Sequence, residues 1–144
     1  MLNDYLRIQA RQDGKRKVAA PFVMVDASQK VMGYYTLSAY SIELGALPPD
    51  IAKKLPKYPL IPATLLGRFA ISLEYQGRKL GRYLLMDALY RSWKNTVQVA
   101  SAAVVAEAMD ERARQFYLHH EFIPLAQEGR KLFLAMRTIE KALK

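Results

Sequence analysis

The spacing of apolar positions changes several times along the chain, and each change marks an element. Tyr5, Leu6 and Ala10 share one side of a segment that Asn3 is suited to cap. A first helix is therefore predicted from residue 3 to about residue 12, with Gly14 ending it. Residues 21–25 form a continuous apolar run and read as a strand. Residues 26–29 turn the chain, and residues 31–38, rich in Tyr, Thr and Val, read as the antiparallel partner. Alternation inside that second strand is weak, which predicts cover on both of its faces.

The next stretch breaks both periodicities. Five prolines (Pro48, Pro49, Pro56, Pro59 and Pro62) fall within residues 47–62. Because proline fixes its own φ, this is a stiff excursion with room for one short helix at residues 50–55, behind Pro49. Residues 64–71 are the strongest strand candidate, and a glycine-bearing basic loop follows at residues 76–81. Leu80, Leu84, Leu85, Ala88 and Leu89 then fall on one helical stripe, while Arg82, Asp87, Arg91 and Lys94 lie elsewhere. A strand in the later half of residues 97–106, a helix over 111–120, an extended piece at 122–124 and a last strand over 131–137 complete the pattern. The final residues turn helical again. The prediction is one α+β domain spanning residues 1–144, with a strand–loop–helix–strand crossover at its centre.

Composition narrows the class. At 144 residues, 51% of them hydrophobic and 24% charged, the chain has the profile of a soluble globular domain rather than a disordered tail. It contains no cysteine, which excludes disulfides, thiolate metal sites and a cysteine nucleophile. His119 and His120 are adjacent and cannot both face one ion from a helix, so no metal site is expected. The longest apolar runs, such as residues 20–25 and 102–106, fall far short of the ~20 residues of a membrane span. No basic-plus-apolar leader precedes them, and the expected compartment is the cytoplasm, with no membrane partner. The net charge of +9 invites nucleic acid, an acidic cofactor or an acidic protein, although a merely solvated basic surface has the same composition.

The most informative stretch is residues 66–85, where a strand ends, a short loop with two glycines follows and a helix begins. Helix N-termini present unpaired N–H groups and partial positive charge, and so attract phosphate. Gly77 and Gly81 remove Cβ where an anion must approach the backbone, and Arg78, Lys79 and Arg82 add full charges on the rim. Taken bare, this predicts a phosphate-bearing ligand. The spacing of a Walker loop is absent. An ordinary strand-to-helix turn with exposed basic residues stays open as the alternative.

Two segments carry a family resemblance. Gln76, Gly77, Arg78, Lys79, Leu80 and Gly81 resemble the Q/R-x-x-G-x-G/A pyrophosphate loop of GNAT acetyltransferases. Ala113, Phe116, Tyr117 and Phe122 resemble that family's A-x-x-F-Y-x-x-x-G-F segment, in the right order and one helix and one strand further on. Leu2 to Leu6, the strand at residues 22–26 and Leu65 to Arg68 look like the GNAT toxins of type II toxin–antitoxin modules. The resemblance implies a GNAT fold, a mixed and mostly antiparallel central sheet flanked by helices, here lacking the usual first strand. It implies acetyl-CoA as cofactor, its pyrophosphate held by Gln76, Gly77, Arg78, Lys79, Leu80, Gly81 and Arg82. The rest of the coenzyme would run beside Phe69, Ala70, Ile71, Asp110, Ala113 and Phe116. A backbone N–H near residues 69–71, where the family strand bulges and splays, would meet the thioester carbonyl. Tyr117 would protonate the departing thiolate; a core aromatic paired with Phe116 is the plainer alternative. The sequence departs from the pattern at Lys79 and Glu121, where glycine is usual, and at Asp110, where an asparagine is common. Glu121 is expected to strain the turn into Phe122.

No general base stands out, and Glu74 reads as a solvated turn residue. An α-amino group, titrating near pH 7.7–8.0, needs little help to lose its proton, whereas a lysine needs much. This favours an α-amine substrate such as aminoacyl-tRNA. Arg7, Arg11, Lys15, Arg16, Lys17, Arg91 and Lys94 would cradle its phosphates if they share a face. Trp93 and the tyrosines are read as packing residues rather than base-stacking ones. By resemblance, a ribbon–helix–helix antitoxin would neutralise the protein, the pair would bind operator DNA, and a homodimer is compatible with the pattern. The competing readings are a GNAT enzyme acting on a small molecule or protein N-terminus, and a non-catalytic member that only binds antitoxin or DNA.

Overall fold

The computed structural model describes residues 15–126 and 129–143. The helix predicted over residues 3–12, and the reading that no strand precedes it, fall outside them. The described residues form six strands, β1 (Ala20–Val25), β2 (Val31–Glu43), β3 (Leu60–Ile71), β4 (Ala103–Glu107), β5 (Ile123–Pro124) and β6 (Lys131–Ala135). The helices are α1 (Pro49–Ala52), α2 (Leu80–Asn95), α3 (Glu111–His119) and α4 (Met136–Leu143). The sheet order is β1-β2-β3-β4-β6-β5. Every neighbouring pair is antiparallel except β3 and β4, which the α2 crossover joins in parallel. The α+β architecture and the mixed, mostly antiparallel sheet agree with expectation.

Alternation along the inner strands divides the core between the two faces. Val104 and Ala106 of β4 and Leu132 and Leu134 of β6 pack with Leu84, Leu85 and Ala88 of α2, Tyr117 of α3 and Ile139 of α4. Ala103 and Val105 of β4 and Phe133 of β6 point the other way, against Ala46, Leu47 and the apolar residues around α1. Both faces of the inner strands are thus covered, which is why they read as nearly continuous apolar runs. The proline-rich excursion is the lid of the second face.

Several boundaries differ from the predicted ones. β2 continues five residues past Ser38, and α1 is a single turn of four residues. β3 begins at Leu60 and takes in Pro62, a residue that argues against an inner strand. The Pro62 carbonyl accepts from Ala102 N at 2.8 Å. In a strand the N–H and C=O of one residue point to the same side. The missing donor of Pro62 therefore faces β4, below the first β3–β4 pair at Thr64 and Val104, and no bond to β2 is lost. β4, at Ala103–Glu107, falls in the later half of its predicted stretch, whereas the strand predicted to Arg137 stops at Ala135, where Met136 opens α4.

The end of α3 shows what Glu121 does. Phe122 N donates to Tyr117 O at 3.0 Å and Glu121 N to Leu118 O at 3.1 Å, the paired bonds of a Schellman cap. The rings of Phe122 and Tyr117 make the accompanying apolar contact, with centroids 5.2 Å apart. Glu121 occupies the left-handed position at φ 71, which glycine fills without strain. Glu121→Gly should therefore stabilise the fold by about 1 kcal/mol. This is read as a higher urea midpoint at unchanged m-value, and an unchanged or lower midpoint would refute it.

Candidate active site

The sheet opens at one point. β3 pairs with β4 only through Thr64, Leu65 and Leu66, opposite Val104, Val105 and Ala106. Beyond Leu66 the two strands part, so among the described residues no strand lies on the β4 side of Gly67 to Ile71. A bulge sits at the same place: Tyr35 is opposite Phe69 and Leu37 is opposite Leu66, so Gly67 and Arg68 together face Thr36. Half-buried Phe69, Ala70 and Ile71 follow the bulge and line the opening.

The chain then leads directly into the predicted phosphate loop. A 3-10 turn, Leu73–Tyr75, is followed by Gln76, whose Nε2 donates back to Ile71 O at 3.2 Å. Gly77 has φ 84 and Lys79 has φ 60, and α2 starts at Leu80 with no side chain capping it. The first N–H groups of α2 have no intrahelical acceptor and are left to a ligand or water. Arg78, Lys79 and Arg82 are exposed around them. Lys79 takes the left-handed turn that most glycine-containing loops would assign to glycine, at a cost of about 1 kcal/mol. A Cβ on Gly81 would touch the Phe116 ring at 3.4 Å, an ordinary contact distance, which shows how closely the first turn of α2 lies against α3.

The loop is tied to the β1–β2 hairpin. Tyr75 Oη donates to Asp26 Oδ2 at 2.6 Å, and Lys30 forms an ion pair with Glu74. Asp26 also accepts from Ser28 N at 2.8 Å, Ser28 Oγ at 2.7 Å and Lys30 N at 3.0 Å. These bonds, that from Tyr75 foremost, hold the Asp26 carboxyl far below the usual carboxylate range. Glu74, expected to be merely solvated, has a partner. The guanidinium of Arg78 stacks 5.2 Å from the centre of the Tyr75 ring.

Tyr117 stands across the opening, in an aromatic cluster. Its ring lies 5.4 Å from Phe116, 6.2 Å from Phe69 and 5.2 Å from Phe122. It is 4% exposed, and burial pushes its phenol up from the ordinary tyrosine range. Among the described residues none hydrogen-bonds its hydroxyl, and no side-chain polar atom there is sealed without a partner. The oxygen is therefore not fully sealed in the interior. Asp110 is engaged otherwise: its carboxylate caps α3, accepting from Ala113 N at 2.8 Å. His120 Nδ1 donates to Phe116 O at 2.9 Å, at the C-terminal end of the same helix.

Of the proposed nucleic-acid contacts, Lys15, Arg16, Lys17 and Lys94 are exposed, while Arg7 and Arg11 lie outside the described residues. Arg91 has structural work. Its Nε donates to Asp87 Oδ2 at 3.1 Å, its guanidinium covers the Phe22 ring at 4.6 Å, and Tyr35 Oη donates to the same carboxylate at 2.5 Å. Tyr83 (64% exposed), Met86 and Tyr90 form an outward stripe on α2, so these two tyrosines are not the packing residues that the sequence suggests. Their spacing of three and seven residues was the available signal, hidden by the stronger leucine stripe. Among the described residues no cluster of His, Asp and Glu suits a metal, and no helix is long and apolar enough to cross a membrane.

A parallel strand pair that splits onto an uncapped, basic helix N-terminus, with a tyrosine across the gap, defines an acetyltransferase of the GNAT class. No family model matches the chain. The tRNA-acetylating toxin of Mycobacterium tuberculosis is 30% identical over 136 residues, 94% of this chain and 80% of that protein. The structure of AtaT with acetyl-methionyl-tRNAfMet superimposes with a TM-score of 0.91 at 31% identity, covering 99% of this chain and 86% of that one. AtaTR bound with acetyl-CoA gives 0.84 at 31% identity, with 99% and 85% covered. The AtaT–AtaR complex bound to DNA gives 0.79 at 26% identity, with 99% and 85% covered. The chain belongs to the GNAT toxins, the family of the tRNA-acetylating toxins.

The hairpin–loop contact has a pH signature. A carboxyl whose folded pKa is depressed contributes stability that is present above its unfolded value, 3.8 here, and disappears as pH falls through the folded value. Stability should therefore hold from pH 7 to about 5 and decline below 4. Asp26→Asn should flatten the part of that decline owed to this carboxylate. An identical acid limb in the variant, measured by urea unfolding at each pH, would remove Asp26 as its source.

Proposed function

We infer that this chain is an acetyl-CoA-dependent N-acetyltransferase toxin, one domain acting in the cytoplasm, that acetylates the α-amine of aminoacyl-tRNA. An acylated α-amine cannot form a peptide bond, so the product blocks translation. The observation that carries the reading is the split of β3 from β4 onto the bare first turn of α2, in a chain related to tRNA-acetylating toxins. An antitoxin of the ribbon–helix–helix type would neutralise the enzyme, and the pair would bind operator DNA, as the AtaT–AtaR complex binds DNA.

The residues fit the coenzyme. Gln76, Gly77, Arg78, Lys79, Leu80, Gly81 and Arg82 would hold the pyrophosphate through main-chain N–H groups and side-chain charge. Phe69, Ala70 and Ile71 offer the unpaired strand edge, with Ala113 and Phe116 on the facing helix. Bound acetyl-CoA supplies the acetyl group as a thioester. Tyr117, like any tyrosine, carries its proton at neutral pH, and its hydroxyl would donate it to a departing sulfur held beside it. Asp110 supports the site from behind by capping α3.

The substrate preference rests on proton chemistry and charge. Near pH 7.5 about a third of a free α-amine is neutral, against about one part in a thousand for a lysine side chain. No dedicated base is then required. A net charge of +9, with Lys15, Arg16, Lys17 and Lys94 exposed, draws a polyanion and repels a cationic small amine. Tyr83 and Tyr90 add aromatic faces on α2 suited to stacking on unpaired bases.

Labelled acetyl-CoA with a panel of charged tRNAs should yield acetyl-aminoacyl-tRNA, at a rate falling steeply with salt. Transfer to no charged tRNA, or salt-indifferent transfer to a small amine, would overturn the substrate. Tyr117→Phe should lower kcat by roughly a hundredfold while leaving acetyl-CoA binding within about threefold by calorimetry. Full turnover in that variant would take the hydroxyl out of the chemistry.

A further inference from the structure

Thr36 is one of two polar residues buried in the described part of the chain, only 2% exposed, and it sits at the place where the sheet opens. Two residues of β3, Gly67 and Arg68, stand opposite this single residue of β2. A bulge of that kind takes a backbone N–H out of the ladder, and a buried N–H without an acceptor is costly. Here the Thr36 hydroxyl supplies the acceptor: Arg68 N donates to Thr36 Oγ1 at 2.9 Å. Room for the hydroxyl comes from Gly67, where an added Cβ would lie 2.8 Å from Thr36 Oγ1. Serine or threonine opposite and glycine within the bulge therefore work as a pair.

The location gives the pair a consequence beyond stability. The β3–β4 ladder ends at Leu66, immediately before the bulge, and Phe69, Ala70 and Ile71 begin immediately after it. Phe69 then meets Phe116 at 5.7 Å and Tyr117 at 6.2 Å across the opening. On the β4 side nothing in the sheet sets the direction of this backbone. On the β2 side, the first bond after Leu66 for which a side chain rather than a ladder carbonyl is responsible is the one to Thr36.

We propose that Thr36 is a positioning residue for acetyl transfer: its hydroxyl, seated over Gly67, locks the bulge and aims the Phe69–Ile71 backbone at the acetyl carbonyl. The inference rests on the acetyltransferase reading, and adds to it a residue far from the phosphate loop that acts only through the backbone. It touches neither coenzyme nor acceptor. Because the pyrophosphate is held by the separate loop before α2, loss of the hydroxyl should disturb turnover more than coenzyme binding.

Thr36→Val removes the hydroxyl and keeps the shape, and Thr36→Ser keeps the hydroxyl. The valine variant should retain its circular dichroism and bind acetyl-CoA within about threefold of wild type, but lose roughly tenfold or more in kcat. The serine variant should recover most of that loss. A folded valine variant with wild-type kcat, or a serine variant no better than valine, would overturn the proposal. If the valine variant does not fold, Gly67→Ala, which presses a methyl against the same hydroxyl, should show the same loss in kcat, and undiminished turnover there would overturn it equally. Amide hydrogen exchange at residues 68–71 separates this inference from the functional reading. Exchange should accelerate about tenfold in the valine variant whether or not wild type acetylates any acceptor. Unchanged exchange sinks the positioning role, while a wild-type protein inert toward every amine sinks the acetyltransferase reading.

Discussion

The arrangement of the whole site follows from one broken ladder. A strand inside a sheet normally has both sides bonded, and backbone groups left bare in the interior must find a partner or water. In this chain β3 keeps β2 along almost its full length but gives up β4 after three pairs. The bare edge of Gly67 to Ile71 is thus an unfinished sheet in the middle of the molecule. It is kept open by a bulge on one side, and by α3 and its aromatic residues on the other. Everything that could meet a thioester lies around that gap.

The crossover turns the gap into a binding site with direction. A parallel neighbour requires the chain to leave β3, cross over and return as β4, and the crossover helix must begin near the end of β3. The N-terminus of α2 is therefore brought to the mouth of the opening by topology alone. What local sequence adds is the absence of a cap, the glycine at 77 and the tether of Tyr75 to Asp26. The opposite flank of α2 is spent on the core, where Leu84, Leu85 and Ala88 are almost wholly buried. One helix thus anchors the fold and presents its free amides. Two of the four described non-glycine residues in left-handed conformation, Lys79 and Glu121, lie at the ends of the helices that border the opening. Backbone strain of this kind persists where surrounding structure over-determines it, as it does around sites.

Much of this is legible in the sequence alone, and the reasons differ from residue to residue. The leucine stripe of α2 and the glycines at 77 and 81 speak through local periodicity and conformational freedom, so the crossover and the loop were readable. Glu121 was readable as strained because a helix ending in a Schellman cap asks for glycine at that place. Pro62 misled, because the rule against proline in an inner strand assumes that both sides of that strand are bonded there. The bulge, which the resemblance implies near residues 69–71, lies at Gly67 and Arg68; no local pattern marks it, since it is a mismatch between two strands and neither strand alone contains it. Arg91 reads in sequence as one of the phosphate contacts; its ties to Asp87 and to the Phe22 ring, with Tyr35 bonding the same Asp87 carboxylate, join three elements and cannot be seen from one segment. Resemblance sets Asp110 beside the coenzyme, and its position three residues ahead of Ala113 also fits a helix cap, which one of its carboxylate oxygens makes.

Tyr117 shows why packing and chemistry are not rival explanations of one residue. Its ring is held by Phe69, Phe116 and Phe122, which removes the rotational freedom that would otherwise blur the position of the hydroxyl. The same burial makes the phenol a weaker acid, which at first counts against a proton donor. A thiolate forming in the same dry surroundings is destabilised by the same physics, so its own pKa rises too. The difference between donor and acceptor, which governs the transfer, is then better preserved than either value alone. A core aromatic at the rim of an open sheet is therefore a suitable acid because it is a core aromatic, and the requirement it must meet is only that its oxygen, alone of its atoms, faces the gap.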